Sequence, residues 1–286
     1  MLGIVDVGGG TRDIFGAGLL DYFMEIGLRV DYFIGVSAGS ANGISYLAGQ
    51  KGRNYKFYAD YVFRKEYMGM GQLLRRGSII NLDYGYGKLS NRGGEYPVDY
   101  PAFAKDPTLF EVVATDADTG KPVYFNRNHI CQDDYDVLKA SSCVPVVCRP
   151  YRIGNYRYYD GGISDPIPFK RAFAQGCDRI LVILTRPKTL MRTGKSDRGY
   201  ARFLKYTHPK VARKLADRGY LYNRQLRQLQ KEEQVGRALV LGPDDISGLK
   251  TLTRDLEKLD ALYQEGYAKG KVAEEFLRGV GGNLRG

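Results

Sequence analysis

Three short segments of this chain carry residue types that together can perform acyl transfer. Gly35-Val36-Ser37-Ala38-Gly39 follows the apolar run Tyr32-Phe33-Ile34 and precedes a helix-forming stretch from Ser40 to Gly49. A Gly-x-Ser-x-Gly segment between strand and helix folds as a tight turn that lifts the serine oxygen toward a substrate, and only small neighbours fit beside it. The positive end of the following helix then lies beneath the nucleophile. Gly8-Gly9-Gly10-Thr11-Arg12 follows the apolar start Leu2 to Val5. Its backbone N–H groups can cradle a negative oxygen because no side chain blocks close approach. Asp160-Gly161-Gly162 follows the aromatic run Tyr156 to Tyr159 and places a carboxylate at a strand end. Each segment alone is also an ordinary turn; as a set they read as nucleophile, oxyanion cradle and base.

The base must be a carboxylate if neither histidine serves, and the chain has only His129 and His208. His208 follows the acid in order but sits before Pro209 among lysines and arginines, and His129 lies in a polar stretch with Asn126, Arg127 and Asn128. Both read as solvated residues, which leaves a Ser37–Asp160 pair without an imidazole. Among competing acids, Asp116 and Asp118 fall at a hairpin turn between Leu109–Ala114 and Val123–Phe125. Asp165 precedes Pro166 and reads as a helix cap.

Taken in order, these segments resemble the patatin-like phospholipase family, and Ala114-Thr115-Asp116 and Ala140-Ser141-Ser142 up to Pro145 add to the likeness. It covers roughly residues 1–185. The resemblance implies Ser37 as nucleophile, Asp160 as the other half of a Ser–Asp dyad, and Gly8, Gly9, Gly10 and Arg12 as the oxyanion site, with Gly35, Gly39, Gly161 and Gly162 shaping the turns. The expected activity is hydrolysis of acyl esters of phospholipids or lysophospholipids through an acyl-enzyme, with no cofactor and no metal. A small-ester esterase or an acyltransferase is the near alternative. A lipid-binding protein of the same fold with impaired catalysis is the more distant one. One departure keeps the last reading open: the family usually has glycine after the Arg or Lys of the first loop, and here that residue is Asp13.

The elements that position these residues alternate. Strands are expected at Leu2–Val7, Asp31–Gly35, near 109–115, 122–125, 144–149, 156–159 and 179–184, and at Ala238–Leu241. Helices are expected at Gly16–Gly27, Ser40–Gly49, Pro166–Gln175 and about Leu249–Leu277. That alternation predicts a three-layer α/β/α domain with a largely parallel central sheet over 1–185, and a mainly helical C-terminal extension over 186–286 that packs on it. The aromatic, basic and glycine-rich stretch 54–94 reads either as a helix followed by a mobile loop near the site or, more commonly, as simple packing. The 286 residues suffice for a sizeable core. Nucleotide-binding glycine spacings fail, because Asp13 and Asp21 stand where a dinucleotide fingerprint needs glycine, and Thr189 stands where a P-loop does. Met1 to Val7 lacks the basic start of a signal peptide, and four scattered cysteines with two unrelated histidines suggest reduced thiols in the cytoplasm rather than staples or a metal site.

The net charge of +11 is concentrated. Between 186 and 231 fourteen basic residues face only Asp197 and Asp217, so this segment carries the whole excess. Phe203, Tyr206, Tyr220 and several leucines are interleaved with them. A basic amphipathic stretch beside a lipid hydrolase predicts peripheral docking on an anionic membrane surface, with a solvated helical cap as the plain alternative. No nucleic-acid motif accompanies the charge, so nucleic acid is not an expected partner.

Overall fold

The computed structural model describes residues 1–145 and 147–279. Their strands are β1 (Leu2–Asp6), β2 (Tyr32–Val36), β3 (Leu109–Asp116), β4 (Pro122–Asn126), β5 (Tyr151–Ile153), β6 (Tyr156–Asp160), β7 (Arg179–Ile183) and β8 (Ala238–Leu241). They form one sheet in the order β5-β6-β3-β2-β1-β7-β8, with β4 also on β3. The central strands β3, β2, β1, β7 and β8 run parallel, whereas β4, β5 and β6 are antiparallel to their neighbours. The helices are α1 (Ile14–Glu25), α2 (Ala38–Leu47), α3 (Arg53–Ala59), α4 (Met70–Arg76), α5 (Tyr100–Lys105), α6 (Asp136–Ser141), α7 (Phe169–Ala174), α8 (Lys195–Leu204), α9 (Pro209–Gln234) and α10 (Leu256–Arg278).

Alternation along the strands builds three layers, because successive side chains point to opposite faces. Ile4, Phe33, Leu181 and Ile183 pack with Phe15, Leu19, Ile44 and Leu277 from α1, α2 and α10. Their neighbours Val5, Ile34, Ile180 and Val182 pack with Phe169, Leu226 and Leu229 from α7 and α9. The segment after residue 185 thus supplies an edge strand and helices to both faces.

Two strands share one edge of β3. β2 and β4 both pair with Glu111–Val113, so they occupy opposite edges. β6 pairs with Ala114–Asp116, where β4 also pairs, so β6 lies on the edge that β2 has just left. β2 ends with Val36 opposite Val113, and β6, running the other way, ends with Asp160 opposite Ala114. The C-terminal ends of two distant strands therefore meet over adjacent residues of β3.

Some expectations are corrected. Of the strand expected at 144–149, residue 146 lies outside the described residues, and only an isolated bridge joins Pro145 to Cys148. The Cys148 N–H turns back to the Val144 carbonyl at 2.8 Å, and the strand forms later as β5. Asp165 does not cap a helix at Pro166: α7 begins at Phe169, and the Asp165 carboxylate accepts from Tyr124 Oη at 2.7 Å and Gln225 Nε2 at 2.6 Å. The C-terminal helix starts at Leu256, where the Asp255 side chain caps it, rather than at Leu249.

α1 and α10 cross in backbone contact. A Cβ at Gly266 would lie 1.9 Å from the Phe15 carbonyl oxygen, and one at Gly18 would lie 2.1 Å from that of Tyr263. Gly266→Ala should therefore destabilise the fold by about 1–3 kcal/mol through overpacking. Gly199→Ala, with open space around it in α8, should stabilise by about 0.5–1 kcal/mol. Urea unfolding midpoints of the two variants measure both; equal midpoints would show that the helix crossing tolerates a methyl group.

Candidate active site

Ser37 stands where β2 turns into α2, with φ 55° and ψ −124°. A residue with a side chain is strained there. The turn is over-determined by its surroundings. The Ser37 N–H donates to Ser141 Oγ at 2.8 Å, and Ser141 Oγ donates to the Val113 carbonyl at 2.6 Å. Ser40 Oγ donates to the Ser37 carbonyl at 2.6 Å. A Cβ at Gly35 would lie 2.5 Å from the Ser40 backbone, so the pentapeptide closes only with glycine there. Ser141, in the stretch that added to the resemblance, is thus a clamp on the turn.

Asp160 arrives from β6 and is 5% exposed. Its N–H donates to the Cys143 carbonyl at 2.9 Å, its carbonyl accepts from Thr115 Oγ1 at 2.8 Å, and Oδ1 accepts the Gly162 N–H at 2.8 Å. Burial raises its pKa above the usual aspartate range. The nearby Ser37 hydroxyl, the charge of Arg218, the Gly162 N–H and the charge of Arg192 pull it partly back. Ser37 and Asp160, paired in the sequence only through the family resemblance, are brought to one place by the ends of β2 and β6. The competing acids are elsewhere: Asp116 Oδ1 holds the hairpin turn by accepting from the Asp118 N–H at 3.0 Å, and Asp118 pairs with Arg157 at 2.6 Å. His129 is exposed beside Asn126. His208 packs edge-on against Tyr159 at 5.3 Å, and neither histidine lines the cavity described below.

The glycine loop is tied on both sides. Gly8 has φ 64°, and a Cβ there would lie 2.0 Å from the Val36 carbonyl oxygen, so the loop lies against the end of β2. The Gly8 N–H donates to Asp6 Oδ1 at 3.1 Å, and the Gly8 carbonyl accepts from Thr185 Oγ1 at 2.7 Å. The Thr11 N–H donates to the Thr251 carbonyl at 2.9 Å, from the loop before α10. Sequence reasoning missed Thr185 and Thr251; nothing in their local spacing marks them.

Asp13 does not face the site. It is fully buried beneath the loop against Asp6, with Asn42 Nδ2 donating to Asp6 Oδ2 at 3.2 Å and to the Asp13 carbonyl at 3.0 Å. Burial raises both carboxyl pKa values, that of Asp6 to about 6. Asp13 is raised further by the charge of Asp6.

Ser37, Asp160 and the glycine loop line one cavity of ≈ 590 Å³. Much of its wall is apolar: Phe57, Val62, Met68 and Leu82 from 57–98, together with Leu138 and Val144. Arg53 interrupts that wall, held by Ser45 Oγ at 2.9 Å and Ser90 Oγ at 2.8 Å. Arg12, Arg186, Arg192 and Arg218 line it as well. The sequence singled out Arg12 as a site residue but showed the other three only as members of a basic segment.

The raised pKa values of this pair have a testable sign. Both carboxyls have folded-state pKa values above the unfolded value of about 3.9. The folded chain therefore binds more protons than the unfolded one above that pH, and the pair's contribution to stability falls as pH rises. Asp13→Asn replaces the proton with a permanent amide donor. Its stability relative to the parent chain should grow as pH rises above about 4. Urea midpoints at several pH values measure this; a constant difference would mean that the pair's pKa values are not raised.

Comparison with known proteins bears on this geometry. The family model described as patatin-like phospholipase matches residues 7–173, and a second, described as a domain of unknown function (DUF6363), matches 208–278. The uncharacterized protein YjjU of Escherichia coli (strain K12) is 32% identical over 197 residues, 67% of this chain and 54% of YjjU. The chain thus spans about half the length of this curated relative. The crystal structure of VipD from Legionella pneumophila aligns with a TM-score of 0.46 at 13% identity, over 97% of this chain and 66% of VipD. The first match covers more than half of the chain, and its span runs from the glycine loop through Ser37 to beyond Asp160: the chain belongs to the patatin-like phospholipase family.

Proposed function

We propose that the protein is a serine acyl-ester hydrolase acting on phospholipids or lysophospholipids. The family is one of lipid acyl hydrolases. The observation that carries the finer reading is the convergence of strained Ser37 and buried Asp160 in an apolar-walled cavity. Ser37 Oγ attacks the ester carbonyl while Asp160 takes its proton. A carboxylate is a weak base for a hydroxyl, and its raised pKa improves the match. The N–H groups of Gly9 and Gly10 hold the oxyanion, aided by the α2 N-terminus and the Arg12 charge, while Gly8, whose N–H is spent on Asp6, shapes the loop. The alcohol leaves with the proton, and water activated by Asp160 releases the fatty acid. Asp13 lies outside the cavity, so it offers no support for impaired catalysis.

We read 1–185 as the catalytic portion and 186–286 as an extension built onto it, since β8 continues the sheet and Thr251 holds the glycine loop. We also propose a cytoplasmic location with peripheral membrane contact through 186–231. Leu204, Val211, Leu215 and Leu226 of this segment face the core, whereas Phe203, Tyr206 and Tyr220 are 74%, 88% and 67% exposed beside exposed Arg202, Lys205, Lys210, Arg213 and Lys214. No helix of the described residues is long and apolar enough to cross a membrane.

Ser37→Ala and Asp160→Asn should each lower turnover of a soluble ester by about 10³-fold or more while leaving folding intact. His208→Ala should change it by less than about tenfold. Excess chelator should leave the rate unchanged, and the rate should fall with acidification at a midpoint above the ordinary aspartate range. A His208→Ala loss as large as that of Ser37→Ala would replace the dyad with a triad.

Replacing Lys205, Lys210, Arg213 and Lys214 with Gln should weaken binding to anionic vesicles by up to about 4 kcal/mol, at about 1 kcal/mol per charge. Binding of the parent chain should fade as the Debye length shrinks from ~10 Å at 0.1 M salt to ~3 Å at 1 M. Vesicle sedimentation measures both, and indifference to both would make the segment a structural cap.

A further inference from the structure

The cations that line the cavity outnumber the carboxylates available to them. Asp197, fully buried in the first turn of α8, accepts from Arg218 Nε at 3.0 Å and lies 3.5 Å from Arg192 Nη2. Among the described residues Arg12 and Arg186 have no ion pair. The Arg12 residue is 6% exposed, and its Nε has no hydrogen-bond partner. Tyr222, 3% exposed, lies between the groups: Arg186 and Arg192 stand over its ring at 5.8 and 5.5 Å, and its hydroxyl is also without a partner. Burial lowers the pKa of Arg12 and of Arg192, and the positive charges of Arg186 and Arg218 respectively lower them further. Arginine keeps its proton under such pressure, so an anion rather than deprotonation would relieve the stress.

We propose that Arg12, Arg186, Arg192, Arg218 and Tyr222 form a subsite for the phosphate of an acidic glycerolipid headgroup, one whose charge is not cancelled by an ammonium. The proposal rests on the acyl-ester reading for the other half of the substrate. Arg12, Arg186, Arg192, Arg218 and Tyr222 line the same cavity as Ser37 and Asp160, which puts the subsite and the nucleophile in one pocket. In a glycerophospholipid the phosphate is only a few bonds from the acyl ester, so both groups fit one cavity at once, with the acyl chain against the apolar wall. The guanidinium planes suit bidentate contact with phosphate oxygens, and the Tyr222 hydroxyl supplies a further donor. A purely structural brace of Arg192, Asp197 and Arg218 accounts for neither Arg12, Arg186 nor the unpartnered hydroxyl.

The test compares lysophosphatidate, lysophosphatidylcholine and monoacylglycerol of one acyl chain, using the full chain and the variants Arg186→Gln, Arg192→Gln and Tyr222→Phe. Arg186 has no ion pair to lose, so its replacement separates binding from folding. The parent chain should prefer lysophosphatidate in kcat/KM, and each arginine variant should reduce the ratio of lysophosphatidate to monoacylglycerol by about tenfold or more. sn-Glycerol 3-phosphate should inhibit hydrolysis of a neutral soluble ester competitively, and more strongly than inorganic phosphate does. No preference for the acidic lipid, or a preference that survives in all three variants, overturns the subsite. Equal inhibition by inorganic phosphate without that lipid preference reassigns it to free phosphate and overturns the headgroup. A thermal-shift titration with sn-glycerol 3-phosphate keeps the two readings apart. Stabilisation lost in Arg186→Gln supports the subsite even if no ester is turned over, whereas an active esterase with no such stabilisation overturns the subsite alone.

Discussion

A strand has two hydrogen-bonding edges, and β3 lends one of them to two partners in turn: β2 up to Val113, then β6 from Ala114 onward. Because β2 is parallel to β3 and β6 antiparallel, both deliver their C-terminal ends to the same point. Ser37 is the residue after one end and Asp160 the last of the other. The sheet's register thus fixes a contact between residues 123 positions apart, which no local turn could hold. The clamps follow from it. Ser141 bridges the Ser37 N–H to the Val113 carbonyl, and a Cβ at Gly161 would lie 2.2 Å from that same oxygen. Strain at Ser37 persists because the surrounding structure leaves it no other conformation.

Around this point polar groups are buried in two different ways. Asp6 and Asp13 lie under the glycine loop, where burial and their mutual repulsion favour the protonated form of Asp13, with Asn42 fixed by Tyr58 Oη at 3.1 Å. Asp6 accepts from Asn42 and holds the loop from below through the Gly8 N–H. The arginines on the other side are not satisfied: Asp197 serves two of them and no carboxylate pairs with Arg12 or Arg186 among the described residues. Burying charge without a partner costs stability, so an unbalanced cluster inside a cavity has a rationale when an anion completes it.

The spacing around Ser37 was legible because strand, turn and helix are encoded within a few residues, and a glycine at 35 has one local meaning. The alternating order of strands and helices was legible for the same reason. Asp13 was not. Its effect depends on Asp6 on another element and on burial, and neither is written in the loop itself. The segment 186–231 showed its charge but not its orientation. The packing of α8 and α9 turns Arg192 and Arg218 inward and leaves Lys205, Lys210 and Lys214 in solvent. Strand propensity at 144–149 gave way to a turn through Cys148, and Asp165 exchanged a capping role for Tyr124 and Gln225, which come from β4 and α9.

The central claim is that Ser37 is an activated nucleophile, and covalent labelling reads it most directly. The full chain treated with a fluorophosphonate and digested should yield one modified peptide, carrying the adduct on Ser37. Prior incubation with a slowly hydrolysed acyl ester should suppress that adduct, and Asp160→Asn should slow its formation. An adduct at another serine, or none from a preparation that hydrolyses a soluble ester, would contradict the account.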